Sequence, residues 1–281
     1  MTAPAPAPYG YQQPQFASRL PVEQTRLSHA LRSEWTKIRT VRSTMWTLGV
    51  MLVLVVGINL LVVVPLSNSG ETDVPVLAPG LFGLMLGQLA IITLGVLVIT
   101  SEYGTGMIRT TFTACPQRGR VLTAKAIVFF CLSFVTTTVA CTITALVSWS
   151  TVGGKSVPTD YRDHPGVVVK DGVTSAGGSE WLGATVGVGL YVALLGLLAL
   201  AVGTLLRHSA GAITTMLGVV LLPIIVAIFL PGSLQSTRDA LVKYSSPNAL
   251  ASLYRIPMIG GDDQNGVVQL VILACVSAAA L

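Results

Sequence analysis

Charge is what this sequence has least of. Aspartate, glutamate, lysine and arginine make up 10% of its 281 residues, where a soluble domain carries about 25%. Hydrophobic residues reach 52% and the mean hydropathy is +0.73. That imbalance excludes an ordinary water-soluble globule and points to a bilayer. Cysteine is also scarce. Cys115, Cys131, Cys141 and Cys275 form no CxxC pair, so neither a disulfide framework nor a zinc site follows, and small buried hydrophobes are expected. His29, His164 and His208 stand far apart without neighbouring ligand types and are expected at interfaces or in loops.

Catalytic patterns are missing as well. No HExxH, no GxSxG and no pair of intramembrane carboxylates occurs, so no enzyme, metal or cofactor is expected. GGKS at Gly153–Ser156 has the end of a phosphate loop, but that pattern needs glycine five positions before Gly154, where Trp149 stands. The net charge of +5 is spread over short segments beside apolar runs, not gathered on one solvated face with aromatic platforms, so nucleic acid is not the expected partner.

What the sequence does have is order along its length. Residues 1–26 are Pro/Gln-rich with no apolar run, expected as a disordered cytoplasmic tail and not as a signal peptide. From Leu27 the apolar residues Leu31, Trp35, Ile38, Val41 and Met45 recur at helical steps, while Arg32, Lys37 and Arg39 take other faces. Residues 27–44 therefore read as a basic amphipathic helix, lying in the membrane interface or packing as a solvated helix.

The remainder, 45–281, forms one transmembrane domain. Six apolar stretches fall at Met45–Leu66, Gly80–Thr100, Ala126–Trp149, Trp181–Leu206, Gly211–Leu230 and Gly266–Leu281, none containing Asp, Glu, Lys or Arg. The expected fold class is an all-α integral membrane protein of six transmembrane helices behind an N-terminal cytoplasmic amphipathic helix. Five stretches are long enough for a hydrocarbon layer of about 30 Å. The sixth falls short where the sequence ends, and continuation of the natural chain past Leu281 is one expectation.

With the N-terminus inside, the inner segments hold 11 of the 17 basic residues and three of the 12 acids. That agrees with the positive-inside rule at each short loop. Trp46, Trp149 and Trp181 fall at span ends, where headgroups favour them. The outer loop 150–180 reads as irregular, and 231–265 as a half-buried or re-entrant turn against protein.

Within the spans the polar residues are small. Ser133, Thr137, Cys141, Thr144 and Ser148 follow one helical face, open to two readings: helix packing or a translocation path. Gly83/Gly87 and Gly183/Gly187 have GxxxG spacing, Gln88 follows the first pair, and Pro223 is expected to bend its helix. The absence of Asp, Glu and His from the spans counts against a proton-coupled carrier and leaves sodium coupling open.

The loop after the second span, Ser101 to Lys125, carries Glu102, Arg109, Arg118, Arg120 and Lys125. Gly104 and Gly106 permit a tight exit, and a short helix over Met107–Thr113 is expected before Pro116. This cytoplasmic knob is either an ordinary charged turn or a docking element.

The segment SEWTKIRTVRST, the six-span plan and the pattern ExGT…R…P.R……K after the second span together resemble permease subunits of ABC (ATP-binding cassette) transporters of the second type. The likeness runs from about Leu27 and departs in the short sixth span and the missing basic C-terminal tail. It implies a subunit with no ATPase of its own, partnered by a separate ATP-binding cassette ATPase and a second permease copy or paralogue. That unit sits in the cell membrane and usually works as an exporter. Glu34, Trp35, Lys37 and Arg39 would lie on the connecting helix near the ATPase. Glu102, Gly104, Arg109, Pro116, Arg118 and Lys125 would form the coupling segment. The 231–265 loop would match short extracellular helices, and Ser133, Thr137 and Thr144 would face the path. The alternatives are a non-transporting membrane anchor or sensor and an ion-coupled secondary carrier.

Overall fold

The computed structural model describes residues 26–114, 117–161, 167–170, 172–256 and 266–281. Of the expected tail 1–26, only Arg26 is among them.

Helix α1 runs Leu27–Thr40. Val41 takes an extended conformation while its N–H still donates to the Lys37 carbonyl, and α2 restarts at Arg42 and continues to Ser67. One residue thus turns the chain from the amphipathic helix into the first apolar rod. Helix α3 spans Pro79–Gly104, with proline in its first turn, where no intrahelical N–H is needed. It stops at the turn Thr105–Gly106, where Gly106 has φ of 73°, a left-handed conformation suited to glycine. The short helix α4 occupies Met107–Ala114, matching the helix expected there.

Helix α5, Arg118–Val152, has 35 residues, about 52 Å at 1.5 Å per residue. It extends beyond any 30 Å layer. Helix α6, Gly178–Leu182, passes through a π-helical turn at Gly183–Gly187 into α7, Val188–Leu206. Arg207 follows in the left-handed region (φ 51°), and His208 caps α8, Ser209–Phe229, its Nδ1 accepting from the Gly211 N–H at 3.1 Å. Two short helices, α9 (Gln235–Lys243) and α10 (Ser246–Leu253), precede α11 (Val267–Ala280).

Among the described residues five helices are long and apolar enough to cross a membrane, so the chain has the architecture of an all-α, multi-pass membrane protein. The sixth apolar stretch is a 14-residue helix that runs to the last residues of the sequence, about 21 Å long. The expected six spans become five long helices and one short one packed on α7.

Helices α3 and α7 form the centre. Their apolar windows are 56% and 61% buried, against 22–33% for α2, α5 and α8, whose outer faces carry Val53, Leu61, Val139, Leu222 and Phe229 into the surroundings. Glycine sets the approach distances. A Cβ on Gly83 would collide with the Val55 carbonyl oxygen, and one on Gly95 would lie 2.5 Å from the Gly196 oxygen. The first glycine pair thus serves α2–α3 packing. In the second, Gly183 faces the Leu253 carbonyl, so the π turn gives room to α10 rather than to another long helix.

The first long loop differs from expectation, while the second packs on the protein. Residues 150–180 contain an antiparallel hairpin, β1 (Val168–Lys170) with β2 (Val173–Ser175), and Ser156 bridges it to Glu71. Lys155 of GGKS points its ammonium at the carbonyls of Leu66 and Ser67, the last two residues of α2, and of Ser69 just beyond it. That is a cation on the negative end of a helix, a structural use for the lysine. In 231–265, α10 is buried along its whole length, and its Ser246 hydroxyl donates to Gln88 Oε1 at 2.8 Å. Of the cysteines, Cys141 is buried as expected, whereas Cys131 and Cys275 are exposed on the outer surface.

Candidate functional site: a buried ion cluster joining three helices

The sequence places Glu34 and Lys37 one turn apart on α1, Glu102 near the end of α3 and Lys125 two turns into α5. Helices α3 and α5 both run past the apolar stretches, so Glu102 and Lys125 belong to helices and not to a loop. The ridge of α1 that carries Glu34 and Ile38 turns inward and packs on α5. All four charges then converge.

Lys125 Nζ donates to Glu34 Oε2 at 2.6 Å and to Glu102 Oε1 at 2.9 Å, with the Val98 carbonyl a third acceptor at 3.5 Å. Lys37 Nζ donates to Glu34 Oε1 at 2.7 Å and to the same Glu102 Oε1 at 3.1 Å. Two carboxylates meet two ammonium groups, so the cluster is neutral in sum. That balance makes burial tolerable, because an uncompensated ion there would lose several kcal/mol of hydration. The Lys125 side chain is 2% exposed, those of Glu34 and Glu102 4% and 8%, and that of Lys37 29%. Lys37 is the wet corner. Glu102 Oε2 is buried with no hydrogen-bond partner among the described residues.

Electrostatics follow this geometry. Burial pulls the Lys37 ammonium down, but the hydrogen bond and charge of Glu34, joined by Glu102, outweigh it and hold the pKa above its ordinary 10.5. The cluster contains no nucleophile and no free base. What it can do is mechanical: it fastens α1 to the ends of α3 and α5 through charge-assisted bonds that separation would leave unpaired.

The residues expected at the site divide into groups. Glu34, Lys37, Glu102 and Lys125 come together. Trp35 and Arg39 lie on the exposed side of α1, outside the cluster. Gly104 ends α3, exposed. Pro116 and the side chains of Arg109 and Arg118 lie outside the described residues.

Ser133, Thr137 and Thr144 are buried inside the bundle with Cys141 and Ser148. Ser133 and Thr144 return their hydroxyls to the carbonyls of Phe129 (2.7 Å) and Cys141 (2.9 Å) on their own helix. Ser148 donates to Asn59 Oδ1 of α2 at 2.9 Å. Within one chain, this face is helix contact.

Sequence reasoning missed Asn59, the partner of Ser148. Its signal was available: a lone asparagine in an apolar run must find a bond across the helix interface. It also missed that Gln88 holds α10 through Ser246. In comparisons with known proteins, the sequence matches no family model and no curated relative.

Proposed function

We propose that this chain is the membrane-spanning permease subunit of an ATP-driven transporter of the second ABC type, an exporter energised by a separate ATPase. In this reading the N-terminus is cytoplasmic and the cell membrane holds two such subunits, with α11 as the sixth helix of each. The observation that carries it is the neutral cluster of Glu34, Lys37, Glu102 and Lys125. It makes α1 and the ends of α3 and α5 one body, with α4 attached at the turn after α3. A partner that pushed on α1 or α4 would move two long helices together, which is what coupling by a cytoplasmic ATPase requires. The buried α10 under the opposite end supports the same reading, since a helix held by Gln88 and the π turn at Gly183 suits a closure above a path.

The test is reconstitution. Co-expressed with the ATPase encoded beside it, the chain is expected to co-purify as a complex whose ATP hydrolysis and vesicle transport depend on each other. Glu102→Gln is expected to lower transport about tenfold, equivalent to about 1.4 kcal/mol in the coupled step, while the complex persists. A complex that never moves a solute across a broad panel would instead mark an anchor. Solute accumulation on an ion gradient without the ATPase would mark a secondary carrier.

A further inference from the structure

Beside the ion cluster, on the outward side of α1, a groove of about 460 Å3 runs between α1, α2 and α5. Its floor is apolar and buried: Ile38, Leu48 and Met51. Its rims are apolar and exposed: Met45 on one side, Val135 and Val139 on the other. Gly49 lies along it, and a Cβ built there meets nothing within 4 Å. The groove therefore continues through a position where a side chain would otherwise fill it. The size falls within the roughly 300–1,000 Å3 of small-ligand sites.

The α1 end of the groove carries its charged residue, while the Thr136 hydroxyl on the α5 wall is turned back to the Leu132 carbonyl. Trp35 and Arg39 stand at the α1 end, one helical turn apart on the exposed side of α1, at the edge of the buried Ile38. Arg39 is exposed and forms no ion pair among the described residues, as do Arg32 and Arg42 on either side. Every acid of α1, α2 and the end of α3 is already committed inward: Glu34 and Glu102 face the two lysines. Of these three cations only Arg39 lines the groove, so the mouth holds one guanidinium without an anion, beside an indole, at the level where α2 enters its apolar stretch. Cations and amphipathic rings at that level meet lipid headgroups. The groove below offers apolar surface in the direction a chain would hang.

We propose that the groove between α1, α2 and α5 binds one acyl chain of an anionic phospholipid, with the phosphate held by Arg39 beneath Trp35. The occupant is a lipid rather than a second copy of the chain because the groove pairs a largely apolar body with a cation at its mouth, and the acids at the ends of the described apolar helices, Glu102 and Glu180, are already paired with Lys125 and Arg255. The site is independent of the transporter reading: an anchor would hold the lipid equally well.

The full chain in nanodiscs is probed with phosphatidylglycerol and phosphatidylcholine, each carrying a photoreactive acyl chain, and crosslinks are mapped by mass spectrometry. Phosphatidylglycerol is expected to label the segments Met45–Leu52 and Leu132–Val139 several-fold more than phosphatidylcholine does. Arg39→Gln is expected to bring the two probes level, and Arg39→Lys to keep most of the preference. Gly49→Phe, placed in open space, is expected to lose labelling by both probes while the protein elutes and melts as wild type. Equal labelling by the two lipids in the wild type, or an unchanged preference in Arg39→Gln, would overturn the proposal. So would copy-to-copy crosslinking through Val135→Cys with no lipid label in the groove.

Discussion

Lys125 and Glu34 lie 91 residues apart in sequence and meet at 2.6 Å, with both side chains nearly excluded from solvent. Neither would be stable there alone. The contact exists because Glu102 and Lys37 complete a neutral set around them, and the set is only as good as its least replaceable member.

Lys125 is that member, since it is the most buried and touches both carboxylates. Lys125→Met leaves two buried carboxylates sharing Lys37 and is expected to cost about 3–5 kcal/mol, the range for breaking a buried pair on one side. Lys125→Met with Glu102→Gln restores neutrality and should recover more than half of that loss. Thermal unfolding in detergent, followed by intrinsic fluorescence, reads both. A single variant that melts with the wild type would mean that the cluster does not hold α1.

Lys37 ties the same cluster to pH. Its folded pKa is raised above the ordinary 10.5, so its contribution is fully present below about pH 10.5 and is lost as pH rises through the higher folded value. Melting temperature measured from pH 8 to 12 should therefore fall at the alkaline end. Lys37→Met should lower the plateau and flatten that part of the fall. An identical alkaline profile in wild type and variant would show that Lys37 is not coupled to the carboxylates in the folded chain.

The long helices were legible because burial in a bilayer writes itself into composition: five charge-free stretches became five helices of 21 residues or more. The glycine pair at Gly83 and Gly87 was legible for a similar reason, since close helix approach demands small residues at that spacing. The cluster was legible only in halves. Glu34 and Lys37 stand at i and i+3, but Glu102 and Lys125 lay just outside the apolar stretches and read as loop charges. Pairing across 91 residues leaves no local period to find. The hairpin at Val168–Ser175 was missed because three-residue strands rich in valine, set among glycines, carry too short an alternation to stand out.

Gly83 and Gly49 make a matched pair for testing helix contact. A methyl group at Gly83 runs into backbone, the Val55 carbonyl, which cannot rotate away, whereas Gly49 faces open space. Gly83→Ala is expected to destabilise by about 1–3 kcal/mol, the range for overpacking a filled interface, and Gly49→Ala to be neutral or slightly stabilising through helix propensity. Both melting curves are taken in the same detergent. Equal effects would mean that α2 and α3 do not approach as closely as the Val55 contact requires.

Lys155 offers the last test, because sequence and structure suggest different uses for it. As the lysine of GGKS it would grip phosphate; in the fold its ammonium closes the end of α2 on the carbonyls of Leu66, Ser67 and, just past the helix, Ser69. Hydrogen bonds to a charged group contribute roughly 1.5–3 kcal/mol, and the partial exposure of this one places it toward the lower end. Lys155→Met should thus lower the melting temperature by a few degrees and leave any labelling by a photoreactive ATP analogue unchanged from the wild-type background. The same loop reports sidedness. Ser156 is exposed at this end of the bundle and Thr36 on α1 is exposed at the other, with α2 between them. Ser156→Cys and Thr36→Cys, made in a background lacking the native cysteines, should react with a membrane-impermeant maleimide from opposite faces of sealed vesicles. Reaction of both from one face would mean that α2 does not cross the bilayer, and that Lys155 caps a helix lying along it.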